Sequence, residues 1–134
     1  GYRTDRPIRD FALNAENHRA ELRKLIESYK LQGYEINALG ASTKGNVLLQ
    51  WLDLGNDIVG SVGDINPRKF GKQTPGTGIP ITNEIEILGK YEKPSVAIVL
   101  PWHFRNGIVS NCREYLHNGG SLLFPLPNIE VVSI

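Results

Sequence analysis

The sequence predicts an α/β domain of three layers, Rossmann-like, with a mainly parallel sheet and helices on both faces. Three observations carry this. Apolar runs at 35–39, 58–64 and 95–100 alternate with stretches of helical periodicity. The run Ser95-Val96-Ala97-Ile98-Val99-Leu100 is uninterrupted and largely β-branched, as a central parallel strand buried on both faces requires. The stretch Ile36 to Asn46 ends an apolar run at a glycine, turns through small and hydroxyl residues, and enters a helix. That is the form of a crossover turn at the carboxyl edge of an open sheet, where ligands bind.

The totals narrow the function classes. At 134 residues the chain has the size of one domain, and 40% hydrophobic content supports a core. Charged residues make up 22% and the net charge is +1, so the basic footprint of a nucleic-acid binder is absent. No apolar run reaches about 18 residues, so no membrane span is expected. Cys112 is the single cysteine, which excludes an internal disulfide or a cysteine-cluster zinc site and makes a reducing cytoplasm the expected setting. The polar N-terminus cannot be a signal-peptide core. The lack of any methionine, at position 1 included, points to one domain of a longer protein.

In order along the chain, residues 1–13 read as an extended linker or N-terminal arm. Pro7 discourages helix there and Phe11 would anchor on the core; 14–134 form the domain. A helix follows over 15–31, N-capped by Asn14, with Leu22, Leu25, Ile26 and Tyr29 at the spacing of one buried face. Its other face, including Glu16, Arg19, Arg23 and Glu27, reads as solvated surface. Gly33 stops it. A strand at 35–39, a turn at 40–43 and a helix at 44–54 come next. Turn residues at 53–57 lead into a second strand, 58–64, which ends in an acid. Gly40 and Asp64 are thus separated by the length of a βαβ unit.

Residues 66–82 are a Pro/Gly-rich loop of the length that usually carries function, its end docking as a short strand through Ile79 and Ile81. The pattern at 83–91 fits either a helical turn or a strand. After the strand at 95–100 and the segment Pro101-Trp102-His103-Phe104-Arg105, a helix is expected over 106–118. It places Ile108, Cys112, Tyr115 and Leu116 on one face, and Gly119-Gly120 ends it. Strands at 121–124 and 129–132 close the sheet.

The turn has the look of a cofactor site without its features. Gly40-Ala41-Ser42-Thr43-Lys44-Gly45 keeps the first and last glycines of the dinucleotide fingerprint, but Ser42 stands where a glycine lets pyrophosphate approach. Lys44-Gly45-Asn46 is not the close of a P-loop. A methyl-donor turn usually has an acid at the strand end, and Ala38 and Leu39 lack it. Two readings remain open: a turn with no ligand, or an anion site with Ser42, Thr43 and Lys44 as donors. Asp64 either holds a ribose or sugar hydroxyl or caps Asn66-Pro67-Arg68. Trp102 and His103 either stack a ring and donate to phosphate, or plug the sheet edge. His18, His117, Cys112 and Ser110 have no partners at metal-ligand or nucleophile spacing, so no catalytic or metal-binding set is visible.

Four ordered segments carry a family resemblance. Leu39-Gly40-Ala41-Ser42-Thr43-Lys44-Gly45-Asn46-Val47-Leu48-Leu49 resembles the G-A-x-x-K-G-N-x-L-L turn in the C-terminal domain of sugar C-methyltransferases. Residues 64–81, from Asp64-Ile65-Asn66-Pro67 to Pro75-Gly76-Thr77-Gly78-Ile79-Pro80-Ile81, resemble its D-x-N-P-x-K-x-G-x-x-x-P-G-T-x-I-P-I segment. Leu100-Pro101-Trp102-His103-Phe104 is similar to L-x-W-N-F, and residues 119–127 to the G-G-x-x-x-x-P-x-P ending. His103 replaces the usual asparagine, and Gly78 stands where a histidine is common.

The resemblance implies the substrate-side domain of an S-adenosylmethionine-dependent enzyme that methylates a carbon of a nucleotide-linked keto-deoxysugar. Upstream zinc-binding and S-adenosylmethionine-binding domains would complete the chain. The donor and the catalytic base would lie in the S-adenosylmethionine-binding domain, and this domain would bind no cofactor and be inactive alone. Its substrate-binding residues would be Gly40, Ser42, Thr43, Lys44, Gly45, Asn46, Asp64, Thr77, Trp102 and His103, with the 66–81 loop covering the cleft. The alternatives are a purely structural domain packed on the catalytic one, or a degenerate nucleotide-binding domain.

Overall fold

The computed structural model describes residues 2–89 and 93–134, with side chains from residue 14 onward. Its helices are α1 (Tyr2–Leu31), α2 (Thr43–Trp51), α3 (Glu84–Leu88), α4 (Arg105–Asn111) and α5 (Arg113–His117). Its strands are β1 (Glu35–Leu39), β2 (Val62–Asp64), β3 (Ile81–Asn83), β4 (Ser95–Val99), β5 (Gly120–Phe124) and β6 (Glu130–Val132). Single 3₁₀ turns occupy Pro67–Lys69 and Trp102–Phe104. The six strands form one sheet in the order β3-β2-β1-β4-β5-β6. The first five are parallel and β6 runs antiparallel to β5. The order reverses between β1 and β4, so their carboxyl ends open a crevice there.

Side-chain alternation along the strands divides the core in two. Ile36, Ala38, Val96, Ile98 and Leu123 point to one face, where Leu22 and Ile26 of α1 and Leu48 and Leu49 of α2 cover them. Leu39, Ala97, Val99, Leu122 and Phe124 point to the other, beneath Ile87, Cys112, Tyr115 and Leu116. The three-layer α/β expectation holds. Burial, reinforced by the Glu84 charge, pushes the Cys112 thiol up to about 11. Tyr115 lies flat under β5, and its hydroxyl shares a 2.5 Å hydrogen bond with Ser95 Oγ.

Three stretches differ most from the sequence reading. The extended conformation expected of residues 1–13 is replaced by helix, because α1 begins at Tyr2. Ile8, Phe11, Ala12 and Ala15 repeat the i, i+3, i+4, i+7 spacing that Leu22, Leu25, Ile26 and Tyr29 follow later. Pro7 removes only one backbone bond near the helix start. The anchoring expected of Phe11 falls on a side chain outside those described.

The strand expected over 58–64 is regular only at Val62–Asp64. Before it, the buried Asn37 intervenes, its Oδ1 accepting from Ser61 N at 3.1 Å and Ser61 Oγ at 3.0 Å in place of a ladder bond. The helix expected over 106–118 breaks at Cys112, whose φ of −104° and ψ of 18° leave the helical region; Gly107 and Asn111 before it are weak helix formers. The ambiguous 83–91 contains the short α3, N-capped by Asn83 Oδ1, and residues 90–92 lie outside those described. The end of the long loop does dock as a strand, β3.

The charged side of α1 is more than surface. Arg19 Nε donates to Trp51 O, and Arg23 Nη1 donates to Leu52 O and, at 3.0 Å, to Asp53 O. These arginines satisfy the carbonyls that α2 leaves open at its C-terminus. A buried thiol held in its protonated form reacts slowly. Cys112 is therefore expected to resist a thiol-disulfide reagent at pH 8 in the native chain and to label fully in denaturant, measured by absorbance of the released thiolate.

Candidate functional site at the carboxyl edge of the sheet

The turn after β1 is shaped by close packing. Gly40 has φ +94°, in the left-handed region, and a Cβ there would lie 2.7 Å from Pro101 Cδ. At Gly45 a Cβ would lie 2.6 Å from the Gly40 carbonyl oxygen and 3.1 Å from Leu100. The first turn of α2 therefore presses directly on the ends of β1 and β4. Ser42 is its N-cap, its Oγ accepting from Gly45 N at 3.1 Å.

Asp64 fastens the same turn from the β2 side. Its Oδ2 accepts from Ala41 N at 2.8 Å and its Oδ1 from Asn66 N at 2.9 Å. Lys69 Nζ donates to Ala41 O at 2.8 Å and stands 3.8 Å from Asp64 Oδ2. The Asp64 side chain is only 12% exposed. Nearby, burial first and the Asp64 charge second raise the Glu84 carboxyl above its ordinary range.

Between α1, α2 and the end of β4 lies a cleft of about 710 Å³. Ser42, Lys44, Trp102 and His103 line it, with Val47, Leu48 and Leu126 among its apolar walls. His18 and Trp51 close it from α1 and α2. Their rings stack at 6.3 Å, and His18 Nε2 donates to Pro125 O at 2.6 Å. Trp102 meets His103 edge-on at 5.6 Å, and His103 contacts Phe104 at 4.2 Å. Lys44 is exposed and has no carboxylate partner among the described residues.

Residues 1–127 match a family described as the C-methyltransferase C-terminal domain. The chain belongs to this family. It is 34% identical over 125 residues to C-methyltransferase NovU of Streptomyces niveus, an alignment covering 93% of this chain. It spans 29% of that relative's length, so the family domain is one part of a longer enzyme there. Among the described residues no helix is long and apolar enough to cross a membrane, and no group of three His, Cys, Asp or Glu could hold a metal ion.

In this C-methyltransferase C-terminal domain the ten residues singled out in the sequence divide into three groups. Ser42, Lys44, Trp102 and His103 come together in the large cleft. Gly40 and Asp64 line a separate cavity of about 230 Å³, with Glu84 and Cys112. Thr43, Gly45, Asn46 and Thr77 line neither. Thr77 Oγ1 is hydrogen-bonded to Thr74 Oγ1 at 2.5 Å, and Gln50 Nε2 ties the loop to α2 through Pro75 O at 2.8 Å. No residue of 66–80 lines the large cleft.

His18 and Trp51 are the wall residues that sequence reasoning passed over. His18 lies one helical turn before Leu22, on the buried stripe, and that spacing was the available signal. Trp51, at the end of α2, gave none.

The packing account of the turn predicts opposite outcomes at two helical glycines. Gly45→Ala, forced against the Gly40 backbone, should lower stability by about 1–3 kcal/mol. Gly107→Ala, with open space around its Cβ, should raise it by about 0.5–1 kcal/mol. Urea unfolding followed by circular dichroism measures both.

Proposed function

We propose that this chain is the acceptor-side domain of an S-adenosylmethionine-dependent C-methyltransferase that acts on a nucleotide-linked keto-deoxysugar in the cytoplasm. The observation that carries the reading is the gathering of Lys44, Ser42, Trp102 and His103 around one cleft at the topological switch point. An unpaired lysine beside the start of a helix suits a phosphate. Aromatic rings and an exposed imidazole suit the groups that flank it. The similarity to a C-methyltransferase supports methyl transfer to carbon.

The turn itself does not fit a methyl donor. Leu39 occupies the strand end where a carboxylate would be needed, and both Asp64 oxygens already accept backbone N–H groups. By the family resemblance, the donor and the base that deprotonates the carbon beside the ketone belong to an upstream S-adenosylmethionine-binding domain, itself preceded by a small zinc-binding one. The role left to this chain is to bind and orient the acceptor.

The second reading is a purely structural domain. Ser42 Oγ spent on Gly45 N, and Asp64 spent on Ala41 N and Asn66 N, favour it. One experiment separates the two. In the full-length enzyme Lys44→Ala should lower kcat/KM for the nucleotide-sugar about 10- to 100-fold, the effect of one charge-assisted contact, and leave methyl-donor affinity unchanged. An unchanged kcat/KM supports the structural role.

A further inference from the structure

We propose that Lys69 and Asp64 are positioning residues for the acceptor: together they hold the two peptide groups of Ala41 and so set where Ser42 and Lys44 stand. This rests on the acceptor role proposed above and gives the loop after β2 a task in it. No residue of 66–80 lines the large cleft, so the loop acts on the turn from behind instead of covering the ligand.

Ala41 falls in a gap in the backbone hydrogen bonding. The contact of β1 with β2 ends where Gly40 N donates to Gly63 O at 2.7 Å, and α2 opens with Asn46 N donating to Ser42 O at 2.9 Å. Ala41 lies between the two and is only 4% exposed. Buried peptide groups need partners, and here side chains supply them. Asp64 Oδ2 accepts from the N–H and Lys69 Nζ donates to the carbonyl, each at 2.8 Å.

These two bonds reach two different peptides. The N–H belongs to the Gly40–Ala41 peptide and the carbonyl to the Ala41–Ser42 peptide. Each peptide is planar, so holding one atom of each orients two successive planes. Gly40, at φ +94°, has the widest backbone freedom in the turn, and the pair of side chains removes it. The chain then enters α2 at Ser42 in one orientation, and Lys44 follows two residues later.

The brace closes on itself. Asp64 Oδ1 accepts from Asn66 N at 2.9 Å, and Asn66 Oδ1 accepts from Arg68 N at 3.1 Å, capping the 3₁₀ turn Pro67–Lys69. Lys69, the last residue of that turn, comes back to within 3.8 Å of Asp64 Oδ2. Beyond it, Gly71 N donates to Ile81 O at 3.0 Å and Ile81 N to Lys72 O at 2.8 Å, which anchors the loop on β3. Lys72 is exposed, and its side chain has no partner among the described residues. It shares the loop and the charge of Lys69 without its contact.

The test is a double-mutant cycle in the full-length enzyme, read as kcat/KM for the nucleotide-sugar, with hydrogen exchange over residues 40–46 as a second readout. Lys69→Met should lower kcat/KM about ten-fold by letting the turn shift, and Lys69→Arg, which keeps a donor, should recover most of the loss. In the Lys44→Ala background Lys69→Met should cost about two-fold or less, because the two act through one group. Lys72→Met removes an equal charge from the same loop and should leave kcat/KM unchanged. Exchange over 40–46 should quicken about ten-fold in Lys69→Met and in Asp64→Asn, and stay at its original rate in Lys72→Met. A ten-fold loss from Lys69→Met in both backgrounds would make Lys69 a direct ligand and overturn the inference. So would an unchanged kcat/KM beside a Lys44→Ala that is impaired, or unchanged exchange. Quickened exchange in Lys69→Met with an unimpaired Lys44→Ala would support the brace and sink the acceptor role, so the two failures are told apart.

Discussion

The close approach of α2 to the ends of β1 and β4 is the constraint on which the rest of this domain depends. No side-chain atom fits between Gly45 and the Gly40 carbonyl, or between Gly40 and the Pro101 ring. That contact brings the first turn of α2 against the loop after β4, and so sets Ser42 and Lys44 across a cleft from Trp102 and His103. A bulkier turn would push the helix outward and open the crevice. Asp64 and Lys69 complete the arrangement by holding both the N–H and the carbonyl of Ala41. The features that resemble a cofactor motif, two glycines and a downstream acid, are thereby accounted for by packing and hydrogen bonding within the chain.

The long first helix fixes the other side. Arg19 and Arg23 reach the open carbonyls at the end of α2, and His18 reaches Pro125 beyond β5. One helix therefore ties together the two elements that flank the cleft. These bonds are long-range in sequence and join the middle of α1 to the end of α2 and to a loop, so the wall they form is specified by several separate segments. Stability and site geometry share the same few contacts, so a substitution at Gly45 acts on both.

Much of the fold is legible because the core writes a strong local pattern. The strand at 95–99 is buried throughout, and uninterrupted β-branched residues announce that. Helix α2 follows from a glycine turn that leads through hydroxyl residues, one of which caps it. Legibility fails where a local rule competes with a longer one. Pro7 argues against helix, yet the apolar repeat through Ile8, Phe11 and Ala15 continues into the one that follows it. Asn37 breaks the β2 pairing through a side chain twenty-four residues away in sequence from Ser61. The charges of α1 follow surface spacing, and their partners lie on another helix.

The same division holds for the candidate site. The sequence by itself determined the α/β class, the crossover turn, the absence of an acid at the end of β1 and the family segments, because each is written in contiguous residues. Only the tertiary structure decided which of those residues share a space. It grouped Ser42 and Lys44 with Trp102 and His103, added His18 and Trp51, and left Thr77 bonded within its own loop. It also turned Asp64 toward Ala41 and Asn66. The physical reason is that a cleft is made by the spacing between elements. That spacing around Gly40–Asn46 is set by how closely two glycines let a helix approach a sheet.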